Sequence, residues 1–134
     1  MKILLIEDSR FLRMAIERVL VRAGHSVTGV ADGPAGLQAV KTSPPALILL
    51  DMMLPGMDGT AVLKALKEDA ATAQIPVIVL TGLSQKNEAR LKTAGAAAYI
   101  QKSEIDFSQN AAALLQSVER VLGSSVALSE SNHG

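Results

Sequence analysis

At 134 residues, 49% of them hydrophobic, the chain has the size and apolar content of one globular domain with a single core, which excludes a disordered chain. Thirteen basic and thirteen acidic side chains cancel, so no global field draws it to nucleic acid or an anionic membrane, and the lack of cysteine excludes disulfides and thiolate metal sites. Met1-Lys2 runs directly into a short apolar stretch unlike a signal peptide, and no apolar run approaches a bilayer span, so a cytoplasmic protein is expected.

The first element is a strand, Ile3-Leu4-Leu5-Ile6, closed by Glu7-Asp8. A helix follows, with Leu12, Ala15, Val19 and Ala23 on one stripe and Gly24 as its stop. Val27 to Ala31 reads as a weaker strand nearer a sheet edge. Pro34 opens a short helix through Ala35, Leu37, Ala39 and Val40, and Pro44-Pro45 ends it. Leu47-Ile48-Leu49-Leu50 is a strand ending in Asp51, and Val62, Leu63 and Leu66 mark a third helix. Val77-Ile78-Val79-Leu80 is a strand ending in Thr81, and Leu91 with Ala94 belongs to a fourth helix. Ala97 to Ile100 is a second weak strand, with Lys102 just beyond it. The fifth helix carries Ala111, Leu114, Leu115, Val118 and Leu122, with Gly123 as its stop, and residues 123–134 are expected to form a flexible polar tail.

The strong strands are continuous apolar runs rather than alternating ones, as strands buried on both faces should be. Five strand–helix repeats then imply a parallel sheet covered on both sides by right-handed crossovers. The expected fold is a flavodoxin-like, doubly wound five-stranded sheet in the order 2-1-3-4-5 with five helices. Its switch point lies between the first and third strands, and ligands bind at the carboxyl ends of the strands there.

The polar residues that end four strands would therefore meet. Glu7, Asp8 and Asp51 crowd three carboxylates together, which calls for a hard cation; magnesium takes carboxylate, carbonyl, water and phosphate oxygens. A competing role for Asp8 is capping the first helix. The Thr81 hydroxyl and the Lys102 ammonium suit an anionic phosphoryl group that the metal cannot neutralise alone.

Glu7-Asp8, the stretch from Leu49 to Gly59 with its Asp51-Met52-Met53-Leu54-Pro55-Gly56 core, Val79-Leu80-Thr81-Gly82, and Tyr99-Ile100-Gln101-Lys102 together resemble the receiver domains of two-component response regulators. The resemblance covers residues 1–122. It implies that Asp51 accepts a phosphoryl group from a sensor histidine kinase, a histidine phosphotransfer protein or a small phosphodonor. It implies a Mg2+ (or Mn2+) site made by Asp8, Asp51 and the Met53 carbonyl, with Glu7 acting through water. Thr81 and Lys102 would hold the phosphoryl group, and Tyr99 would follow Thr81 to reshape the face of the fourth helix, fifth strand and fifth helix for a protein target. The expected state is a monomer or weak dimer, without nucleic-acid or membrane partners. Arg10, Phe11 and Met14 on the first helix are candidate kinase contacts.

The chain departs from that pattern in three places. Ser103 stands where the family usually has proline, so the Lys102–Ser103 peptide is expected to be trans. Met53 and Leu83 carry no group that could orient an attacking water, which implies slow loss of the phosphoryl group. Gly95-Ala96-Ala97-Ala98 lacks the acidic pair used by regulators that dimerise through charges on this face.

Three other readings compete. A haloacid dehalogenase-like phosphotransferase would want an acid where Met53 stands. A flavodoxin-type binder would want a hydroxyl- and glycine-rich loop where Glu7-Asp8-Ser9-Arg10 stands. A scaffold receiver working without phosphorylation would not need the intact acids.

Overall fold

Five parallel strands form one sheet in the order β2-β1-β3-β4-β5, the order expected from sequence. The computed structural model describes residues 1–82 and 94–131. In chain order the elements are β1 (Lys2–Ile6), α1 (Arg10–Arg22), β2 (Ser26–Val30), α2 (Gly33–Thr42), β3 (Leu47–Asp51), α3 (Gly59–Glu68), β4 (Val77–Thr81), β5 (Ala98–Gln101) and α4 (Ala112–Ser131). Thus α4 is the fifth of the predicted helices; the predicted fourth, around Leu91, lies outside the described residues. Two short 3-10 turns, Lys102–Glu104 and Phe107–Gln109, link β5 to α4.

Every residue of β3 and β4 is buried, which is why their sequences are unbroken apolar runs, whereas the edge strand β2 is half-exposed. Strand alternation divides the core in two. Ile3, Leu5, Leu47, Leu49, Ile78 and Leu80 pack under α1 and α4, while Leu4, Ile6, Ile48, Leu50, Val77 and Val79 pack under α2 and α3. Each fully buried leucine or isoleucine contributes roughly 1.5–3 kcal/mol, so the strands are fixed in register by both layers at once. Ile6 pairs with Leu50 and Asp51 with Leu80, which brings the ends of β1, β3 and β4 level.

The buried face of α1 centres on Ile16 and Leu20, one position round from the expected stripe, with Leu12 and Val19 at its flank. Gly24 adopts φ +97°, the left-handed conformation that lets the chain leave the helix. Asp32 caps α2 through Ala35 N–H at 2.8 Å, with Pro34 in the first turn.

The expected stop at Gly123 is corrected by the structure: α4 runs through it to Ser131, so residues 123–131 are helical. A lone glycine costs a helix interior about 1 kcal/mol relative to alanine, and only a left-handed φ there turns it into a terminator.

Candidate functional site

At the level edge of β1, β3 and β4 the structure gathers Glu7, Asp8 and Asp51, each offering one carboxylate oxygen within 4.8 Å of those of the other two. Glu7 and Asp51 are 0% exposed, while Asp8 faces solvent. The helix-capping alternative for Asp8 is settled by its neighbour. Ser9 is the N-cap of α1, its Oγ accepting Leu12 N–H at 3.2 Å, which leaves the Asp8 carboxylate available.

Lys102 enters from the far side, from the turn after β5. Its Nζ lies 3.1 Å from Asp51 Oδ1 and 3.1 Å from Glu7 Oε1. The described residues contain no cis peptide bond, so the Lys102–Ser103 link is trans, as the missing proline led us to expect. Met53 N–H donates to Asp51 Oδ1 at 3.0 Å, so one oxygen of Asp51 is held by a cation and an amide together.

The other oxygens are not so provided. Asp51 Oδ2 and Glu7 Oε2 are buried without a hydrogen-bond partner. Buried carboxylate oxygens are normally satisfied, and two orphans within a cluster of three acids make a donor set that a hard divalent cation takes. The residues therefore fit magnesium, and Glu7, Asp8 and Asp51 are the side chains that would hold it.

Electrostatics bear the crowding out. Burial, and then the adjoining Asp51 carboxyl, push Glu7 up to about 7 despite the attraction of Lys102. Burial works against the charge on Asp51 too, but hydrogen bonding with Glu7, Met53 N–H and Lys102 outweighs it and holds Asp51 below its ordinary value. For Lys102, the pull of the two acids overcomes burial and raises it above the usual lysine value. In the metal-free site the cluster thus favours ionised Asp51 and Lys102, with Glu7 sharing a proton.

Thr81 ends β4 and is buried, one residue past the partner of Asp51 in the register. Val79 pairs with Tyr99 and Thr81 with Gln101, so Tyr99 is the diagonal neighbour of Thr81 on one face of the sheet. Half-buried Tyr99 packs on the α2–α3 side of the core. Met53, two residues after Asp51, is 65% exposed, and Phe11 and Met14 on α1, which follows the acid pair in sequence, are exposed too. Leu83 lies outside the described residues.

Two supports were not read from the sequence. Gly59, at the start of α3, donates to Met52 O at 3.1 Å, and a Cβ there would stand 2.5 Å from both Asp51 O and Met52 Cα. Only glycine lets α3 close onto the backbone that carries Asp51. Arg13 reaches back from α1 to the Glu7 carbonyl at 2.8 Å. The signal for Arg13 was Gly29, a bare residue inside a strand, which marks a close approach by another group.

The chain is similar to known proteins over most of its length. The family model for the response regulator receiver domain matches residues 3–115. The gliding motility regulatory protein of Myxococcus xanthus is 37% identical over 123 residues, covering 90% of this chain and 15% of that protein. The transcriptional regulatory protein AfsQ1 of Streptomyces coelicolor is 44% identical over 79 residues, covering 59% of this chain and 34% of that protein. The chain thus spans well under half the length of these relatives. Among solved structures, the Vibrio cholerae chemotaxis protein CheY4 matches with a TM-score of 0.80 and 27% identity, over 90% of this chain and 97% of that one.

Proposed function

Since the chain belongs to the response regulator receiver domain family, whose members are signalling proteins that interact with histidine kinases, we propose that it is a phosphorylation switch with Asp51 as the phosphoacceptor. The observation that carries this reading is the division of labour at Asp51. Oδ1 is held by Lys102 and the Met53 N–H, while Oδ2 is buried and has no hydrogen-bond partner. A buried carboxylate kept ionised in this way is a nucleophile in waiting.

In the proposed reaction an Asp51 oxygen attacks the phosphorus of a phosphohistidine. The new O–P bond forms as the P–N bond breaks, and the imidazole nitrogen leaves with the electron pair. Magnesium, when bound by Asp8, Asp51 and the Met53 carbonyl with Glu7 assisting through water, would offset the charge of the transferred group. Lys102, already against Asp51, pairs with one phosphoryl oxygen, and the Thr81 hydroxyl donates to another.

Receipt of a dianion beside Thr81 gives the domain two states that it can contact differently. Tyr99, diagonal to Thr81, transmits the change to the surface made by β5, α4 and the small-residue stretch Gly95-Ala96-Ala97-Ala98, where a protein target binds. The receiver unit comprises residues 1–122. Exposed Phe11 and Met14, with Arg10, form the kinase-facing side.

Incubation with magnesium and a small acyl phosphate tests the reading. A switch takes up one equivalent of phosphoryl group per chain and then loses it slowly. Continuous hydrolysis of phosphomonoesters would instead support the phosphotransferase alternative, for which Met53 stands where a second acid is needed.

A further inference from the structure

Resting on the metal-site reading above, we propose that Arg13 is a positioning residue that aligns Glu7 and Asp8 for the cation. Arg13 Nη1 donates to the Glu7 carbonyl at 2.8 Å. That carbonyl belongs to the peptide joining the two acids. Glu7 N–H donates in turn to Val30 O at 3.0 Å, so the main chain of Glu7 is held at both ends, by β2 and by α1.

The orientation of this peptide decides where the two side chains go. Glu7 is directed inward and is wholly buried, Asp8 stays at the solvent rim, and both still converge on Asp51. Successive residues of a strand point to opposite faces, so two adjacent acids reach one ion only if the chain turns between them. A guanidinium is suited to fixing that turn, since its donors are rigid and always charged. Bonded to a main-chain carbonyl, it brings a positive charge to the acid pair without taking a carboxylate oxygen.

The path of Arg13 is built into β2. Gly29, paired in register with Leu5, lies under the arginine stem; a Cβ there would stand 3.0 Å from Arg13 Cδ and 3.1 Å from Cγ. Glu17 runs alongside, its Oε2 at 3.5 Å from the same point. The glycine keeps open the lane by which the stem crosses the edge strand to the acid pair.

Calorimetric titration of the unphosphorylated chain with Mg2+ tests this, using variants that attack the contact from opposite sides. Arg13→Met keeps the stem and removes the donors, Gly29→Val leaves the arginine but fills its lane, and Arg13→Lys restores a cationic donor. The first two are expected to weaken Mg2+ binding by about tenfold, the usual effect of losing a group that orients a ligand. The thermal midpoint in EDTA should stay close to wild type, and Arg13→Lys should recover part of the affinity. Wild-type binding with Arg13→Met unchanged, or Arg13→Lys as weak as Arg13→Met, overturns this inference alone. Affinity lost only in step with the folded fraction makes Arg13 structural and overturns it as well. A wild-type chain that binds no Mg2+ overturns it together with the reading on which it rests.

Discussion

Lys102 Nζ sits 3.1 Å from Asp51 Oδ1, delivered by a turn that has serine where a proline would be expected. The contact survives because the 3-10 turn Lys102–Glu104 begins directly at the end of β5, so the side chain leaves from the sheet edge itself. Replacing Lys102 with Met leaves two buried carboxyl groups without their cation. Because the ammonium is partly exposed and solvent screens it, the expected loss of metal-free stability is about 1–2 kcal/mol. Urea unfolding in EDTA measures it, and the variant should also accept phosphoryl groups more slowly.

The proton balance of Glu7 predicts an unusual pH dependence. With Glu7 pushed up to about 7 from 4.5, the folded chain keeps a proton that the unfolded chain has already released between those values. The associated stability is complete below the unfolded value and is lost as pH rises through about 7. Asp51 has the opposite sign: it is held low, and its contribution is lost only as pH falls through that lowered value. In EDTA, stability should decline by on the order of 2 kcal/mol from about pH 5 to about pH 8, and Glu7→Gln should flatten the decline.

If Asp51 is phosphorylated as proposed, Met53 is expected to set how long that state lasts. Its thioether is exposed at the rim of the site and offers neither a hydrogen-bond donor nor a strong acceptor with which to orient water. The phosphorylated form should therefore persist for minutes or longer in the purified protein, and Met53→Asn should shorten it severalfold. Loss within seconds in the unmodified chain would contradict this.

Tyr99 offers a direct optical probe, since the chain has one tyrosine and no tryptophan. Phosphorylation should change its fluorescence. In Thr81→Val, which keeps the shape and removes the hydroxyl, phosphoryl uptake should survive while the fluorescence change is largely lost. An undiminished change in that variant would remove Thr81 from the switch.

The parts legible in the sequence were those that repeat a pattern. Leu47 to Leu50 and Val77 to Leu80 could only be doubly covered strands, and once their order followed, Asp51 and Thr81 fell at one edge with Glu7 and Asp8. What escaped were contacts that leave no periodic trace. The bond from Arg13 to a main-chain carbonyl, the choice of Ser9 over Asp8 as helix cap, and the fit of Gly59 against the Asp51 backbone each depend on three-dimensional closeness. Gly123 misled for a related reason: glycine ends a helix only when its φ becomes positive, and composition does not report φ.

The central claim is that Asp51 is the phosphoacceptor, and intact mass after incubation with a small acyl phosphate and magnesium tests it most directly. The wild-type chain should gain one phosphoryl group that is lost on treatment with hydroxylamine, and Asp51→Asn should gain none. Labelling of Asp51→Asn at the wild-type yield would contradict the account.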